Sequence, residues 1–171
     1  KCLSGNCENG YGKKQYSDCT VYEGYFKNFF LSGKGKYTYS DGSVYDGEWL
    51  NSKRNGKGKL NFSSGETYDG NWELDQRSGY GEYKWVDGTR YLGDWENDKM
   101  QGEATIFYSS GEKYVGQNNN GNREGQGVFY NADGSVNYDG YWKNNAKSEK
   151  EEQESDDGGD DLDWLDAFYD G

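Results

Sequence analysis

Carboxylates are the most abundant side chains in this sequence that could carry out acid–base chemistry, because the chain has 31 acidic residues and no histidine. Nucleophilic Ser-His-Asp or Cys-His machinery and histidine-based metal sites are therefore absent. Two carboxylates about 5–10 Å apart could cleave a glycosidic bond. Asp46 and Glu48, however, alternate with Tyr45 and Trp49 and so face away from the aromatic side of a strand. We predict that the protein is not an enzyme and has no catalytic residue, metal site or cofactor.

The cysteines all lie near the start of the chain, at Cys2, Cys7 and Cys19. Cys2 and Cys7 are spaced to close a small disulfide that would staple the exposed end of the fold. Cys19 is then free, although pairing with Cys2 is an alternative, as are three reduced thiols. The preferred bridge favours a secreted, periplasmic or cell-surface protein. A cytoplasmic, cytoskeletal or ciliary location is the alternative.

A repeat with a period of 23 residues fills most of the chain. Each unit has a tyrosine, a glycine two residues later and a large aromatic residue four residues later, as in "YDGEW" at 45–49. The units start at Tyr22, Tyr45, Tyr68, Tyr91, Tyr114 and Tyr138, the last after a spacing of 24. The large aromatic residues are Phe26, Trp49, Trp72, Trp95 and Trp142. Self-similarity at a fixed period predicts a repeat array.

Each unit has the alternation of a β-hairpin. Tyr45, Gly47 and Trp49 share one face of a strand, while charged residues occupy the other. The polar stretch "NSKRNG" at 51–56 predicts the turn to the second strand. Successive hairpins predict an all-β, elongated antiparallel β-meander solenoid of about six 23-residue units. We interpret the central glycine as a slot for a ring from the neighbouring strand.

This unit, from Tyr-x-Gly-x-Trp through a polar turn to Gly-x-Gly and a closing glycine, resembles the MORN repeat (membrane occupation and recognition nexus). The resemblance implies a twisted β-solenoid with an aromatic-lined groove, formed by the repeated tyrosines and large aromatic residues named above. It also implies a protein-binding or dimerising module.

Two departures from the pattern lie close together. Asn118 stands where the large aromatic residue is expected, and Ala104 replaces a glycine of the preceding Gly-x-Gly pair. The asparagine-rich stretch around Asn118 is expected to interrupt the groove. It marks either a binding site or, as we prefer, a unit that relaxes near the end of the array.

The sequence divides into an N-terminal cap with a partial repeat (1–21), the array (22–145), an acidic linker (146–158) and an acidic-aromatic docking segment (159–171). Residues 147–171 hold 11 acidic and 2 basic residues, so they carry −9 of the net charge of −12. The docking segment is amphipathic at helical spacing, through Leu162, Trp164, Leu165, Phe168 and Tyr169. It could dock on its own array, on a neighbouring copy or on another protein.

The charge distribution limits the classes of partner. An acidic chain lacks the basic footprint that nucleic acids and anionic lipids require. We therefore predict a non-catalytic scaffold that binds protein partners, including itself, through the groove and the docking segment. The alternative is a carbohydrate-binding module or a subunit of an extracellular assembly or filament. Membrane-surface binding is less favoured, and no nucleic-acid partner is expected.

Overall fold

The computed structural model describes residues 1–149, and within them the fold is one open antiparallel sheet whose 14 strands follow each other in chain order. The strands are β1 Cys2–Gly5, β2 Gly10–Gln15, β3 Val21–Lys27, β4 Phe30–Thr38, β5 Val44–Leu50, β6 Lys53–Asn61, β7 Thr67–Glu73, β8 Gln76–Lys84, β9 Arg90–Glu96, β10 Lys99–Phe107, β11 Lys113–Asn119, β12 Asn122–Tyr130, β13 Val136–Lys143 and β14 Ala146–Ser148. The predicted all-β meander is confirmed. The docking segment predicted at 159–171 lies outside the described residues.

The turn within each hairpin has only two residues. Asn51 and Ser52 both have positive φ, at 49° and 64°, and β6 begins at Lys53. Two consecutive left-handed residues make the tight turn whose twist matches antiparallel strands. The predicted six-residue turn at 51–56 was therefore wrong, because Lys53 and Arg54 are polar residues that belong to a strand.

The repeated tyrosine lies flat across two facing glycines, one on its own strand and one on the partner strand. A Cβ at Gly47 would lie 2.5 Å from the Tyr45 hydroxyl, and one at Gly58 would overlap the same ring. Gly47 and Gly58 are cross-strand partners. The slot is thus filled by the tyrosine two residues earlier on the same strand, which corrects our expectation of a ring from the neighbouring strand.

Hydrogen bonds and ring contacts fix these aromatic residues to the sheet. The Tyr45 hydroxyl donates to the Glu48 carbonyl at 3.0 Å, and the Trp49 indole N–H donates to the Gly35 carbonyl at 3.0 Å. Trp49 packs edge-on against Tyr45 and against Tyr22 of the preceding unit, with ring centroids 5.0 and 5.6 Å apart. Each tryptophan therefore joins two repeats, and edge-to-face pairs of this kind add about 0.5–1.5 kcal/mol beyond burial.

The two ends of the sheet differ. At the start, Cys2 and Cys7 form a disulfide with Cα atoms 6.0 Å apart, and Cys19 is free and exposed. At the other end, β14 (Ala146–Ser148) pairs with β13. The sheet thus extends three residues into the region we had predicted as acidic linker.

Replacing Gly70 with alanine should lower the free energy of unfolding by about 3 kcal/mol. The added Cβ would lie 2.6 Å from both the Tyr68 hydroxyl and the Gly81 Cα, and backbone on the partner strand cannot yield without separating the strands. Chemical denaturation would measure the loss. The matched control is Gly88→Ala in a turn, where a Cβ meets nothing within 4 Å and only the positive φ of 91° is strained, at about 1 kcal/mol. Equal losses would contradict the ring-over-glycine arrangement.

The disulfide predicts a specific thiol count. Protein unfolded without reductant should react with a thiol reagent at one cysteine, Cys19, and at all three after reduction. Peptide mapping of the alkylated protein would identify the residue. Three reactive thiols in freshly purified, unreduced protein would rule out the bridge.

Candidate binding face

The repeated tyrosines form the core of the sheet. Their side chains are fully buried at each of five positions, Tyr22, Tyr45, Tyr68, Tyr91 and Tyr114. Burial raises the pKa of Tyr114 to about 12, so its phenol stays protonated at neutral pH and donates to the Gln117 carbonyl. The large aromatic residues are also buried: Phe26, Trp49, Trp72, Trp95 and Trp142. Among the residues predicted to line a groove, Tyr138 alone is half-buried rather than buried. A partner cannot contact most of this set.

A second set of rings, which the sequence analysis missed, lies on the same face and is partly buried, with some surface left exposed. These residues also recur every 23 positions, six residues before each repeat tyrosine, and we call them the aromatic row: Tyr16, Tyr39, Phe62, Trp85 and Tyr108. The next position in the series is Asn131. Their spacing was readable in the sequence, but four of the five stand just before an Asp-Gly or Ser-Gly turn, and Tyr16 just before Asp18-Cys19, where an aromatic residue resembles an ordinary strand end.

The rings of the aromatic row are held in place by aromatic side chains packed against them and by backbone hydrogen bonds of the turns that follow them. The Tyr39 ring lies 4.7 Å from the Tyr37 ring, and Tyr37 lies 5.6 Å from buried Trp49. The turn that follows closes on the same residue, because the Tyr39 N–H donates to the Ser43 carbonyl at 2.9 Å. Trp85 is supported in the same way by Tyr83, at 4.7 Å between centroids. The rings are thus presented by the sheet rather than by mobile loops.

Arginine residues clamp neighbouring repeats on this face. The Arg54 guanidinium stacks 4.1 Å over the Trp72 ring and donates through Nη2 to the Asp75 carbonyl at 2.8 Å and through Nε to its carboxylate at 3.2 Å. Arg77 repeats the arrangement with Trp95 and Asp98. Each clamp joins the hairpin turns of successive units across the tryptophan between them, with a cation–π contribution of about 0.5–2 kcal/mol.

The arginine clamp is missing at the junction around Asn118, as it is at the first junction, where Leu31 and Ser52 stand in the arginine and aspartate positions. Met100 stands in the arginine position and Gly121 in the aspartate position, so three linked residues change together. Asn118 is only 4% exposed, yet among the described residues neither its amide nitrogen nor its amide oxygen has a hydrogen-bond partner. Strand β11 nevertheless pairs with both neighbours. The backbone of the sheet therefore continues through this junction, while an unsatisfied amide takes the place of the large aromatic ring there.

Within residues 1–149, no group of three or more His, Cys, Asp or Glu side chains is arranged to hold a metal ion. The same residues contain no helix long and apolar enough to cross a membrane.

Replacing Asn118 with leucine should raise the free energy of unfolding by about 1–3 kcal/mol, because an unsatisfied buried amide costs that much. The matched variant is Trp95→Leu at the same position one repeat earlier, which should lose about 2 kcal/mol or more through lost packing. Thermal and denaturant unfolding would measure both. A loss of stability in Asn118→Leu would show that the amide has a partner in solution.

Comparison with solved structures gives a likeness in fold. The structure is similar to the TCP domain of SAS-4 (dCPAP) from Drosophila melanogaster, solved in complex with a proline-rich motif of Ana2 (dSTIL). The TM-score is 0.51 at 11% identity, over 80% of this chain and 75% of that chain. The TCP10 domain of CPAP from Danio rerio, in complex with a peptide of Danio rerio STIL, matches with a TM-score of 0.37 at 15% identity. That match covers 78% of this chain and 65% of that one. No curated protein sequence matches the chain.

The repeat itself identifies the family. The MORN repeat model matches six consecutive segments, at residues 22–44, 45–67, 68–90, 91–113, 114–136 and 138–149. These matches cover well over half of the chain and confirm the resemblance drawn from the Tyr-x-Gly-x-Trp motif. The chain belongs to the MORN-repeat family.

Proposed function

We propose that the protein is a non-catalytic scaffold that binds an extended segment of a partner protein along the aromatic row. The observation that carries this proposal is the presence of partly exposed rings at one fixed spacing along the sheet, packed against a core that is already closed. Exposed aromatic residues on a preorganised surface are the usual anchors of protein recognition, because they bury a large area with little loss of side-chain entropy.

The spacing of the row favours a polyproline II segment. Equivalent residues of successive units lie two strands apart, which is about 9.4–9.8 Å at 4.7–4.9 Å per strand. A polyproline II helix makes one turn in three residues of 3.1 Å each, or about 9.3 Å. A segment lying across the strands would therefore present every third side chain to one ring of the row. The bound proline-rich motif in the similar SAS-4 domain supports this choice of ligand.

The face also supplies hydrogen-bond donors and charge beside the rings. Burial raises the pKa of the Tyr39 phenol, and the positive charge of nearby Arg54 lowers it by a smaller amount. The Arg54 side chain is mostly buried but keeps 19% of its surface exposed. Backbone carbonyls of a polyproline II segment have no internal partners, so they can accept from such a donor.

We also propose that the protein associates with itself through the C-terminal docking segment. The absence of histidine in the sequence supports a binding role over a catalytic one. The Cys2–Cys7 disulfide supports an oxidising compartment, hence a secreted, periplasmic or cell-surface location.

Binding should be detectable with a synthetic peptide that carries proline at every third position. Titrated into the full chain, it should change the tryptophan fluorescence through contact with Trp85. Tyr39→Asn should weaken binding about tenfold, the effect of losing about 1.4 kcal/mol of ring contact. Asparagine is suitable because it occupies the equivalent position at Asn131, so the fold accepts it there.

The matched control is Tyr80→Lys, which removes an exposed ring from the opposite face and should leave the affinity unchanged. Loss of binding in Tyr80→Lys but not in Tyr39→Asn would move the site to that face. A fluorescence response to polysaccharides and none to proline-rich peptides would instead favour the carbohydrate-binding alternative.

A further inference from the structure

The face opposite the aromatic row carries an exposed apolar patch over strands β2–β5. Tyr11, Tyr25, Phe30 and Leu50 are 54%, 52%, 52% and 49% exposed, and we call them the N-terminal outer patch. Tyr11 and Tyr25 are cross-strand partners whose rings meet edge-on at 5.4 Å. Phe30 faces the same way, since it pairs with Lys27, two residues along β3 from Tyr25. Exposed apolar clusters of this kind commonly mark interaction sites.

The fold does not require apolar residues at these positions. In the next four units the position of Tyr25 is held by Glu48, Asn71, Asp94 and Gln117. The position of Phe30 is held by Lys53, Gln76, Lys99 and Asn122. Tyr80 stands at the position of Tyr11 in a later unit, and Tyr141 at that of Tyr25 in the last, but the four apolar residues occur together only in the first units.

The patch lies in the basic part of the chain. Residues 1–60 hold 10 basic and 6 acidic residues, a net charge of +4, whereas residues 61–149 hold 8 and 15, a net charge of −7. Four lysines lie on the outer face of β4 and β6, namely Lys34, Lys36, Lys57 and Lys59. Within the described part of the chain none of the four forms an ion pair, but acidic residues face three of them across the strands. Lys34 lies opposite Glu48, Lys36 opposite Glu23 and Asp46, and Lys59 opposite Asp46 and Asp69. The excess positive charge is therefore a property of residues 1–60 as a whole.

We propose that the N-terminal outer patch binds the C-terminal segment 159–171 of a second copy of this chain. That segment is both apolar and acidic, so it complements a patch that is apolar and lies in the basic part of the chain. Its apolar residues stand among aspartates and are Leu162, Trp164, Leu165, Phe168 and Tyr169. Residues 150–171 hold 10 acidic residues and one basic residue, a net charge of −9. The inference rests on the self-association in the proposed function and names its surface.

The length of the chain favours a second copy over the same molecule. The first apolar residue of the segment, Leu162, lies 13 residues beyond Glu149, a reach of at most about 43–47 Å when fully extended. Strand β5, which carries Leu50, lies nine strand positions from β14, about 42–44 Å across the sheet, and strands β4 to β2 lie about 47–59 Å away. The same molecule could therefore place Leu162 only at the near edge of its own patch and only with a fully extended linker, whereas the patch of a neighbour has no such limit.

Such a contact is heterologous, because the two molecules use different surfaces. A head-to-tail contact leaves one free patch and one free segment on every complex, so it builds rings or open chains and does not stop at a dimer. Its electrostatic part should weaken with salt, since the screening length falls from about 10 Å at 0.1 M to about 3 Å at 1 M.

Light scattering across a concentration series tests the proposal by complementation. The full chain should increase in mass with concentration, and this increase should require about tenfold more protein at 1 M than at 0.1 M salt. A chain ending at residue 158 should stay monomeric, and so should Tyr25→Asn/Phe30→Gln, which introduces residues found at the equivalent positions of the third unit. An equimolar mixture of these two variants should form a one-to-one complex, because each retains the half that the other lacks.

The control Tyr80→Lys alters an exposed ring outside the patch and should associate like the unaltered chain. A full chain that stays monomeric, a mixture that does not combine, or association lost in Tyr39→Asn and kept in the patch variant would each overturn the proposal. The last result would place the segment on the aromatic row. Peptide binding by the row, measured on the chain ending at 158, reports separately on the proposed function.

Discussion

The structure depends on one steric arrangement, a tyrosine ring lying across two glycines on adjacent strands. A Cβ on either glycine would collide with the ring, and the ring in turn has no exposed surface. The unit of Tyr91 departs from this arrangement, because Ala104 faces Gly93 there. The tyrosine hydroxyl reaches the carbonyl three residues further along the same strand. The arrangement therefore fixes the register of both strands and the path of the backbone in each unit. It also allows a core built almost without aliphatic residues, since one ring replaces the side chains of two positions.

Because the motif residues are used for the core, recognition must use other rings. The sequence predicted the strands and their order well, since period-two alternation within a fixed 23-residue period leaves few other folds. It could not show which aromatic residues stay exposed, because the burial of Tyr45 and the partial exposure of Tyr39 depend on where the next unit stacks. The turn at Asn51 was misjudged for a related reason: the polar residues after it belong to a strand that is solvated on one face.

The junctions between units are not equivalent, and the difference lies in their side chains. Most carry a tryptophan sealed by an aliphatic residue or by an arginine that also bonds the next turn. The junction at Asn118 has lost tryptophan, arginine and aspartate together. Asn118 alone could be found from the sequence, but its unpaired state could not, since it depends on how the folded sheet buries the side chain. In a chain of nearest-neighbour contacts, the array is least stabilised there.

The strictly sequential strand order has a further consequence for how such a protein changes in length. Strands that contact each other extensively are consecutive in the chain, so each hairpin depends only on its neighbours. Duplication or loss of one 23-residue unit would move the two ends apart or together by about 9.6 Å and add or remove one ring of the row. Every other contact would remain as it is. The length of the array and the number of recognition positions can thus change in whole units while the core contacts within the other units stay the same.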